Sequence, residues 1–135
     1  MQKTILVLED WWQDRALITS MLESTGYAVL NVTDGAEAMR GYLAHRDGIA
    51  LIVIGSPIDI RETRSFAEQV FLEDPRLPIF SKNGDRVRPF DPPPCASKRL
   101  RPLSLMVRIL RTLEGTLKAQ PEVDSDYSGA IGRRF

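Results

Sequence analysis

The chain has 135 residues, 43% of them hydrophobic and 27% charged, which is the usual composition of one globular domain with a substantial core. Lys and Arg together number 18, as do Asp and Glu, so the net charge gives no indication of a nucleic-acid or membrane partner. No apolar run approaches the ~20 residues of a membrane span. Because Cys95 is the only cysteine, an internal disulfide is excluded, and we expect a cytoplasmic protein without a signal peptide.

The charges are unevenly distributed along the chain. Residues 1–60 contain eight acidic and four basic side chains, whereas residues 82–111 contain eight basic and two acidic ones. A basic segment of this kind is either a solvated surface or a docking face for an acidic partner, and the sequence leaves both interpretations open.

Apolar segments predict the strands of a sheet. Residues 4–8 and 49–54 are apolar almost throughout, which is typical of parallel strands covered by helices on both faces. Shorter strands are predicted over residues 27–32 and 77–80. A fifth strand, short, polar and at an edge of the sheet, is predicted over residues 97–101.

Amphipathic helices are predicted after the strands. We expect Asp14 to open the first helix, and Asp34 with Glu37 forms a capping-box pattern at the start of the second. The third helix is predicted over residues 62–73, and Ser104 is the expected cap of the last one. Apolar residues at spacings of three and four give each helix one face to bury.

This order of elements predicts a three-layer α/β sandwich around a five-stranded parallel sheet with strand order 2-1-3-4-5. The proline-rich segment at residues 83–96, with three consecutive prolines at 92–94, cannot be a helix and takes the place of a fourth one. We expect one domain over residues 1–117. Residues 118–135 lack apolar periodicity and are expected to form a flexible tail.

Two carboxylates follow the first predicted strand. In the predicted sheet, Glu9 and Asp10 lie beside Val53 at the carboxyl end of the third strand, where sites of such folds are found. Adjacent like charges cost free energy unless something neutralises them, and Mg²⁺ is the cation that such a pair would hold. The alternative is two solvated loop residues that favour the N-terminus of the following helix.

The order and spacing of several short motifs resemble the receiver domain of bacterial two-component response regulators. The motifs are Ile-Leu-Val-Leu-Glu-Asp at residues 5–10, Arg-Ala-Leu at 15–17, Gly-Tyr-Ala-Val at 26–29 and Asp-Gly-Ala-Glu-Ala-Met at 34–39. The resemblance covers about residues 3–117 and is strongest over the first forty. It implies a flavodoxin-like fold and a role in phosphorelay signal transduction.

The resemblance also implies where a phosphorylation site would lie. Receivers accept a phosphoryl group on an aspartate at the end of the third strand and hold Mg²⁺ with an acidic pair, which Glu9 and Asp10 match. The acceptor position, four residues before Pro57, is occupied by Val53. Valine has no oxygen that could attack a phosphodonor, so the resemblance is to a pseudo-receiver.

The residues that would contact the phosphoryl group depart from the family pattern as well. The Thr or Ser position after the fourth strand falls on Asn83, with Ser81 as a nearby hydroxyl that could serve instead. Arg101 before a proline stands where the family has Lys, so the positive charge is kept in a planar, forked form. Trp11 and Trp12, directly after the acidic pair, could cap the pocket or bind a partner.

We therefore expect a stand-alone, non-enzymatic signalling module that acts by protein–protein interaction without aspartyl phosphorylation. The expected partners are a histidine kinase, another response regulator or a second copy of the chain. They would bind through the proline-rich loop and the last helix, whose basic residues Arg108 and Arg111 lie near Arg99. The alternative function is metal or anion binding in the acidic pocket, with Glu9 and Asp10 on Mg²⁺ and with Arg101 and Ser81 on an anion.

Overall fold

The computed structural model describes residues 3–55, 59–88 and 99–115. Within these ranges, no helix combines the length and the apolar character needed to cross a lipid bilayer. Cys95, the prolines at residues 92–94 and the tail predicted for residues 118–135 lie outside the described residues.

Four parallel strands form a sheet in the part of the chain that the structure describes. They are β1 (Thr4–Leu8), β2 (Ala28–Val32), β3 (Ile49–Ile54) and β4 (Ile79–Ser81). Their order is β2-β1-β3-β4, so the order predicted from the sequence is confirmed for these strands. β2 begins one residue later than predicted, and β4 lies one to two residues further along the chain than predicted.

The predicted fifth strand is not found among the described residues, because residues 99–101 form no strand. Instead, the main-chain N–H of Arg101 donates to the carbonyl oxygen of Lys82 at 3.1 Å, so the described end of this segment is joined by a main-chain hydrogen bond to the residue that follows β4. The segment is mostly polar, and Pro102, which has no N–H to pair, follows it at once and begins a helix. The prediction of five strands is therefore corrected to four over the described residues.

The segment after β4 is irregular, as predicted for the start of the proline-rich region. The main-chain N–H of Ser81 donates to the carbonyl oxygen of Asp85 at 2.8 Å, and Arg86 forms an isolated antiparallel bridge to Phe80. Gly84 in this turn has a φ of 95°, a conformation that favours glycine. Residues 89–96 of the predicted irregular segment lie outside the described residues.

Four α-helices cover the two faces of the sheet in the described ranges. They are α1 (Trp12–Ser24), α2 (Gly35–His45), α3 (Ile60–Glu73) and α4 (Pro102–Leu113). A short 3-10 turn, Arg46–Gly48, joins α2 to β3. Together with the sheet, the helices form the predicted three-layer sandwich.

The starts of the helices differ in how well they follow local capping rules. The N-cap predicted for α2 is confirmed, because the carboxylate of Asp34 accepts the main-chain N–H of Glu37 at 2.8 Å. Asp59 caps α3 in the same way, so α3 begins before the predicted residue 62. The caps predicted at Asp14 and Ser104 are wrong, since α1 begins at Trp12 and α4 begins at Pro102.

The sheet separates two hydrophobic cores, because alternate residues of each strand point to opposite faces. The core beneath α2 and α3 includes the buried side chains of Leu6, Ile52, Tyr42, Phe66 and Val70. The core beneath α1 and α4 includes those of Val7, Val53, Phe80, Ile18 and Leu105. Both cores extend to the carboxyl edge of the sheet, where the acidic pair was predicted, since Leu8 and Ile54 belong to the first and Val53 and Phe80 to the second.

Candidate functional site at the carboxyl edge of the sheet

The carboxyl ends of β1, β3 and β4 meet at one edge of the sheet and bring together residues distant in the sequence. The main-chain N–H of Gly55 donates to the carbonyl oxygen of Leu8 at 2.7 Å, which extends the pairing of β3 with β1. On the other side, the N–H of Glu9 donates to the carbonyl oxygen of Val32 at 3.1 Å. Glu9 is therefore held in sheet geometry at the centre of this edge.

Val53 lies on β3, where the resemblance places the phospho-acceptor. It pairs in register with Val7 of β1 and Phe80 of β4, and its side chain is completely buried in the core beneath α1 and α4. Its environment is that of a core residue, which suits valine and leaves no oxygen atom at this position.

Glu9 is fully buried, which is unusual for a carboxylate. Its Oε2 accepts the main-chain N–H of Trp11 at 2.8 Å. Its Oε1 lies against Gly55, since a Cβ atom built on that glycine would be 1.8 Å from this oxygen. Gly55 is thus required here by the close approach of the carboxylate to the main chain.

The charge of Glu9 is compensated by Lys82, the residue that follows β4. The ammonium Nζ of Lys82 is 3.2 Å from Oε1 of Glu9 and 2.6 Å from Oδ2 of Asp14 in the first turn of α1. The side chain of Lys82 is only 5% exposed. One buried ammonium therefore bridges β1, β4 and α1 through two carboxylates.

Asp10 does not join Glu9 in a common site. Its side chain is exposed, whereas that of Glu9 is buried. The guanidinium of Arg15 donates to the main-chain carbonyl oxygens of both residues, at 3.1 Å to Glu9 and 3.2 Å to Asp10, and fixes the main chain at the end of β1.

The carboxylates do not fit the Mg²⁺ site that the resemblance implies. Mg²⁺ requires oxygen ligands in octahedral geometry. Both oxygens of Glu9 already have close partners, the main-chain N–H of Trp11 and the ammonium of Lys82. Over the ranges that the structure describes, no group of three or more Asp, Glu, His or Cys side chains could hold a metal ion.

Ser81 and Asn83, the two candidates for the hydroxyl position, lie together at the end of β4. The hydroxyl of Ser81 donates to Oδ1 of Asn83, and it lies 3.4 Å from the carbonyl oxygen of Asp85. Asn83 also accepts the main-chain N–H of Asp85 at 3.0 Å. Both side chains thus stabilise the turn after β4, which gives them a structural role whether or not they bind a ligand.

Arg101, the residue in place of the family Lys, lies at the N-terminus of α4. It lines an open groove of about 440 Å³ together with Asn83, Leu103 and Arg108. Arg101 therefore contributes its positive charge to an outer surface, whereas the ammonium of Lys82 lies against Glu9.

Trp11 and Trp12 both expose their side chains. They are 50% and 59% exposed, respectively, so neither ring is part of the core. Trp12 lines an open groove along α1 with Arg15 and Asn31, about 730 Å³ in volume. The two rings remain candidates for contact with a partner.

Sequence reasoning missed the contributions of Lys82, Asp14 and Gly55 to this site. One signal for Lys82 was present, since a charged residue directly after an apolar parallel strand lies at the same edge as Glu9. Nothing in the local pattern of Asp14 indicates its contact with a residue 68 positions away.

Comparisons with known proteins concern the fold. No protein-family model matches the chain, and no curated protein sequence is significantly similar to it. Several solved structures are similar, and those described here have low sequence identity to the chain. One is the chemotaxis protein CheY4 of Vibrio cholerae, with a TM-score of 0.64 and 19% identity over 84% of this chain and 100% of that one.

Two other similar structures have lower scores. A response regulator receiver domain protein of Clostridium thermocellum has a TM-score of 0.53 and 18% identity, and the match spans 58% of this chain but only 63% of that one. The signal receiver domain of an HD domain-containing protein of Pseudomonas fluorescens has a TM-score of 0.52 and 14% identity over 84% of this chain and 78% of that one. The chain thus has the flavodoxin-like fold of response regulator receiver domains.

Proposed function

We propose that the chain is a receiver-like signalling module of a two-component system that acts in the cytoplasm by protein–protein interaction, without aspartyl phosphorylation. The observation that carries the proposal is the position of Val53 in this fold. It lies at the carboxyl end of β3, is fully buried and offers no nucleophilic oxygen. We place the boundary of the receiver-like domain at residue 117, with residues 118–135 as a tail.

The neighbouring carboxylates are poor substitutes for an acceptor. Glu9 is buried, paired with Lys82 and hydrogen-bonded to the N–H of Trp11, so its oxygens are not available to a phosphodonor. Asp59 caps α3 by accepting the main-chain N–H of Glu62 at 3.0 Å. These engagements support a module that does not undergo a phosphorylation cycle.

A non-catalytic role is supported by the chemistry at the edge of the sheet. The only histidine of the chain, His45, is exposed at the end of α2 and stands at no strand end. The hydroxyl of Ser81 donates to Asn83 and has no base as its partner in that bond. Hydrolytic or transfer chemistry requires a nucleophile next to a positioned base, and the described residues named here form no such pair.

The basic surface around α4 and the turn after β4 is the proposed docking face. The guanidinium groups of Arg86 and Arg108 lie 5.7 Å and 5.4 Å from the centroid of the Phe80 ring. Burial, with the positive charges of Arg88 and Arg108 adding to it, lowers the pKa of the Arg86 guanidinium. These arginines are close enough for their positive charges to repel one another, and an acidic partner would reduce that repulsion.

The partner that fits this face is a protein with an acidic surface, and we propose a histidine kinase or another response regulator. A hydrophobic residue, Leu103, is 79% exposed beside Arg101 and Arg108 at the start of α4 and could anchor the contact. Apolar anchors surrounded by charges are typical of protein interfaces.

Anion binding is the second candidate function. It is favoured by the groove of about 440 Å³ in which Arg101 and Arg108 stand with Asn83. Two guanidinium groups can hold a phosphate-bearing ligand by bidentate hydrogen bonds. A titration in which inorganic phosphate binds at both arginines and leaves partner binding unchanged would favour anion binding over the signalling function.

The phosphorylation proposal is tested with acetyl phosphate and Mg²⁺, with intact mass spectrometry as the measurement. We expect no phosphoryl adduct under conditions that label a phosphorylatable receiver domain, which serves as the positive control. A hydroxylamine-sensitive adduct that maps to one carboxylate would overturn the proposal.

The docking proposal is tested by binding of the chain to purified kinase and response regulator proteins of the same organism. We expect Arg108→Glu to weaken the binding by about tenfold or more, because it reverses a charge in the proposed face. Arg40→Glu reverses another exposed charge, on α2 at the opposite face of the sheet; it is the matched control and should have little effect. Equal loss in both variants would contradict the proposed face. Self-association measured by sedimentation would identify a second copy as the partner.

A further inference from the structure

The side chains of Glu9, Lys82 and Asp14 form a cluster of charges at the carboxyl edge of the sheet. Nζ of Lys82 contacts Oε1 of Glu9 at 3.2 Å and Oδ2 of Asp14 at 2.6 Å. The side chains of Glu9 and Lys82 are 0% and 5% exposed, and that of Asp14 is 25% exposed. Charges as deeply buried as those of Glu9 and Lys82 require partners within the protein, since burial removes most of their contact with water.

Both oxygens of the Glu9 carboxylate are held by contacts within the protein. Oε2 accepts the N–H of Trp11, and Oε1 faces both Lys82 and the Cα of Gly55. The carboxylate therefore has little freedom to turn toward a different cation. An incoming divalent ion would have to displace the ammonium first.

We propose that the ammonium of Lys82 is the permanent cation of this site and takes the place that Mg²⁺ would have in a receiver fold. The chain supplies its own counter-charge, and Mg²⁺ is neither needed for folding nor bound at this edge. An ammonium satisfies two carboxylates by hydrogen bonds in a tetrahedral arrangement, whereas Mg²⁺ would require about six oxygen ligands.

The proposal has a consequence for the whole edge of the sheet. Because Lys82 follows β4, Glu9 follows β1 and Asp14 is in α1, one side chain fixes three elements relative to one another. The contact is made by the chain itself and needs no bound ion. This inference concerns the metal alone and does not depend on the proposed signalling function.

The test compares wild type with Lys82→Met, in which the apolar stem is kept and the charge is removed. For wild type we expect no saturable binding of Mg²⁺ or Mn²⁺ at millimolar concentration by calorimetry, and no change in Tm beyond that caused by NaCl of equal ionic strength. For Lys82→Met we expect Tm to fall by about 10 °C or more, and part of this loss to be restored by the divalent ion.

Two controls make the result specific. Lys3→Met removes an exposed lysine whose Nζ donates to the carbonyl oxygen of Leu113, and it should create no metal affinity. Adding Glu9→Gln to Lys82→Met should abolish the gained ion binding and raise Tm above that of Lys82→Met alone, because no uncompensated carboxylate remains at that position.

Three outcomes would overturn the proposal. The first is saturable Mg²⁺ binding by wild type that Glu9→Gln abolishes. The second is a Lys82→Met variant with unchanged Tm or with no gain in ion binding. The third applies if Lys82→Met does not fold. If the double variant with Glu9→Gln then also fails to fold, lost packing rather than lost charge is responsible.

Discussion

The carboxylate of Glu9 lies directly against the main chain of Gly55, so closely that a Cβ atom at residue 55 would be 1.8 Å from Oε1. Real side-chain atoms do not approach this closely, so Glu9 can keep its observed position only while residue 55 is glycine. The residue that follows β3 must have no side chain for the buried carboxylate at the end of β1 to reach its cation. This relationship, rather than backbone conformation, explains the glycine in the run that closes the central strand.

Gly55→Ala should therefore be strongly destabilising. The added methyl group displaces the Glu9 carboxylate from Lys82, and breaking a buried ion pair costs about 3 kcal/mol or more. Gly48→Ala is the matched control, because a Cβ atom there meets nothing within 4 Å. The free energy of unfolding from urea denaturation measures both effects, and equal small losses in the two variants would disprove the steric argument.

Tyr42→Phe should stabilise the protein. The hydroxyl of Tyr42 is buried, and within the described part of the chain it has no hydrogen-bond partner. The ring itself is well placed, edge-on to Phe66 at 6.4 Å between centroids and 5.5 Å from the guanidinium of Arg46. Removing the unpaired hydroxyl should raise the free energy of unfolding by about 1 kcal/mol, which chemical denaturation would detect. A loss of stability would show that the hydroxyl is paired in solution.

Tyr27→Phe should have the opposite effect, although the chemical change is the same. The hydroxyl of Tyr27 donates to Oε2 of Glu114 at 2.6 Å and ties the start of β2 to the end of α4. Its loss should cost about 1 kcal/mol at neutral pH. The two Tyr→Phe variants form a matched pair, and the same sign of change in both would contradict the hydrogen-bond assignments.

The stabilisation from Tyr27 should also depend on pH. Burial, followed by the hydrogen bond to Glu114 and the charge of that carboxylate, raises the pKa of Tyr27 above its usual value of 10.0. Above that value the tyrosine ionises more readily in the unfolded chain than in the folded one, so unfolding is favoured. The stability advantage of wild type over Tyr27→Phe should thus be complete below pH 10.0 and shrink at higher pH. An advantage that grows with pH in thermal melts would refute this assignment.

Val53→Asp should not yield a stable receiver with a restored acceptor. The new carboxylate would replace a fully buried side chain in the core beneath α1 and α4. We expect Val53→Ala to lower the free energy of unfolding by about 2 kcal/mol. Val53→Asp should lower it by about 2 kcal/mol more, because it also buries a polar group. Equal stability of the two variants in urea would show that the end of β3 accommodates a charge.

The strands could be predicted because their sequence pattern is local and strong. The apolar runs of β1 and β3 lie where the sequence predicted them, and Asp34 caps α2 through a contact only three residues away. Such features depend on neighbouring residues alone. The strand order followed from general rules on parallel sheets, since alternating strands and helices permit few arrangements.

The start of α1 shows where local rules fail. Asp14 has the sequence character of an N-cap, yet its carboxylate contacts Lys82, and the helix begins at Trp12 without a side-chain cap. Asp14 therefore lies inside the first turn of α1 and contributes a charge there rather than a cap. A contact between residues 68 positions apart leaves no periodic signal in the sequence.

The acidic pair was interpreted as a unit, and the structure separates its members. Glu9 points into the fold, whereas Asp10 is exposed, because successive residues of an extended segment alternate between its two sides. The resemblance to receivers correctly indicated the fold. It did not indicate that an internal lysine would occupy the neighbourhood of the carboxylate, because Lys82 matches none of the motifs that carry the resemblance.

The helix that carries the proposed docking face, α4, is anchored at both ends. At its start the N–H of Arg101 donates to the carbonyl oxygen of Lys82, and at its end Glu114 accepts the hydroxyl of Tyr27. A surface held in this way is preorganised, so a partner does not need to order it on binding. Association should then resemble the docking of rigid bodies, with a rate set mainly by electrostatic attraction and therefore decreasing as salt is added.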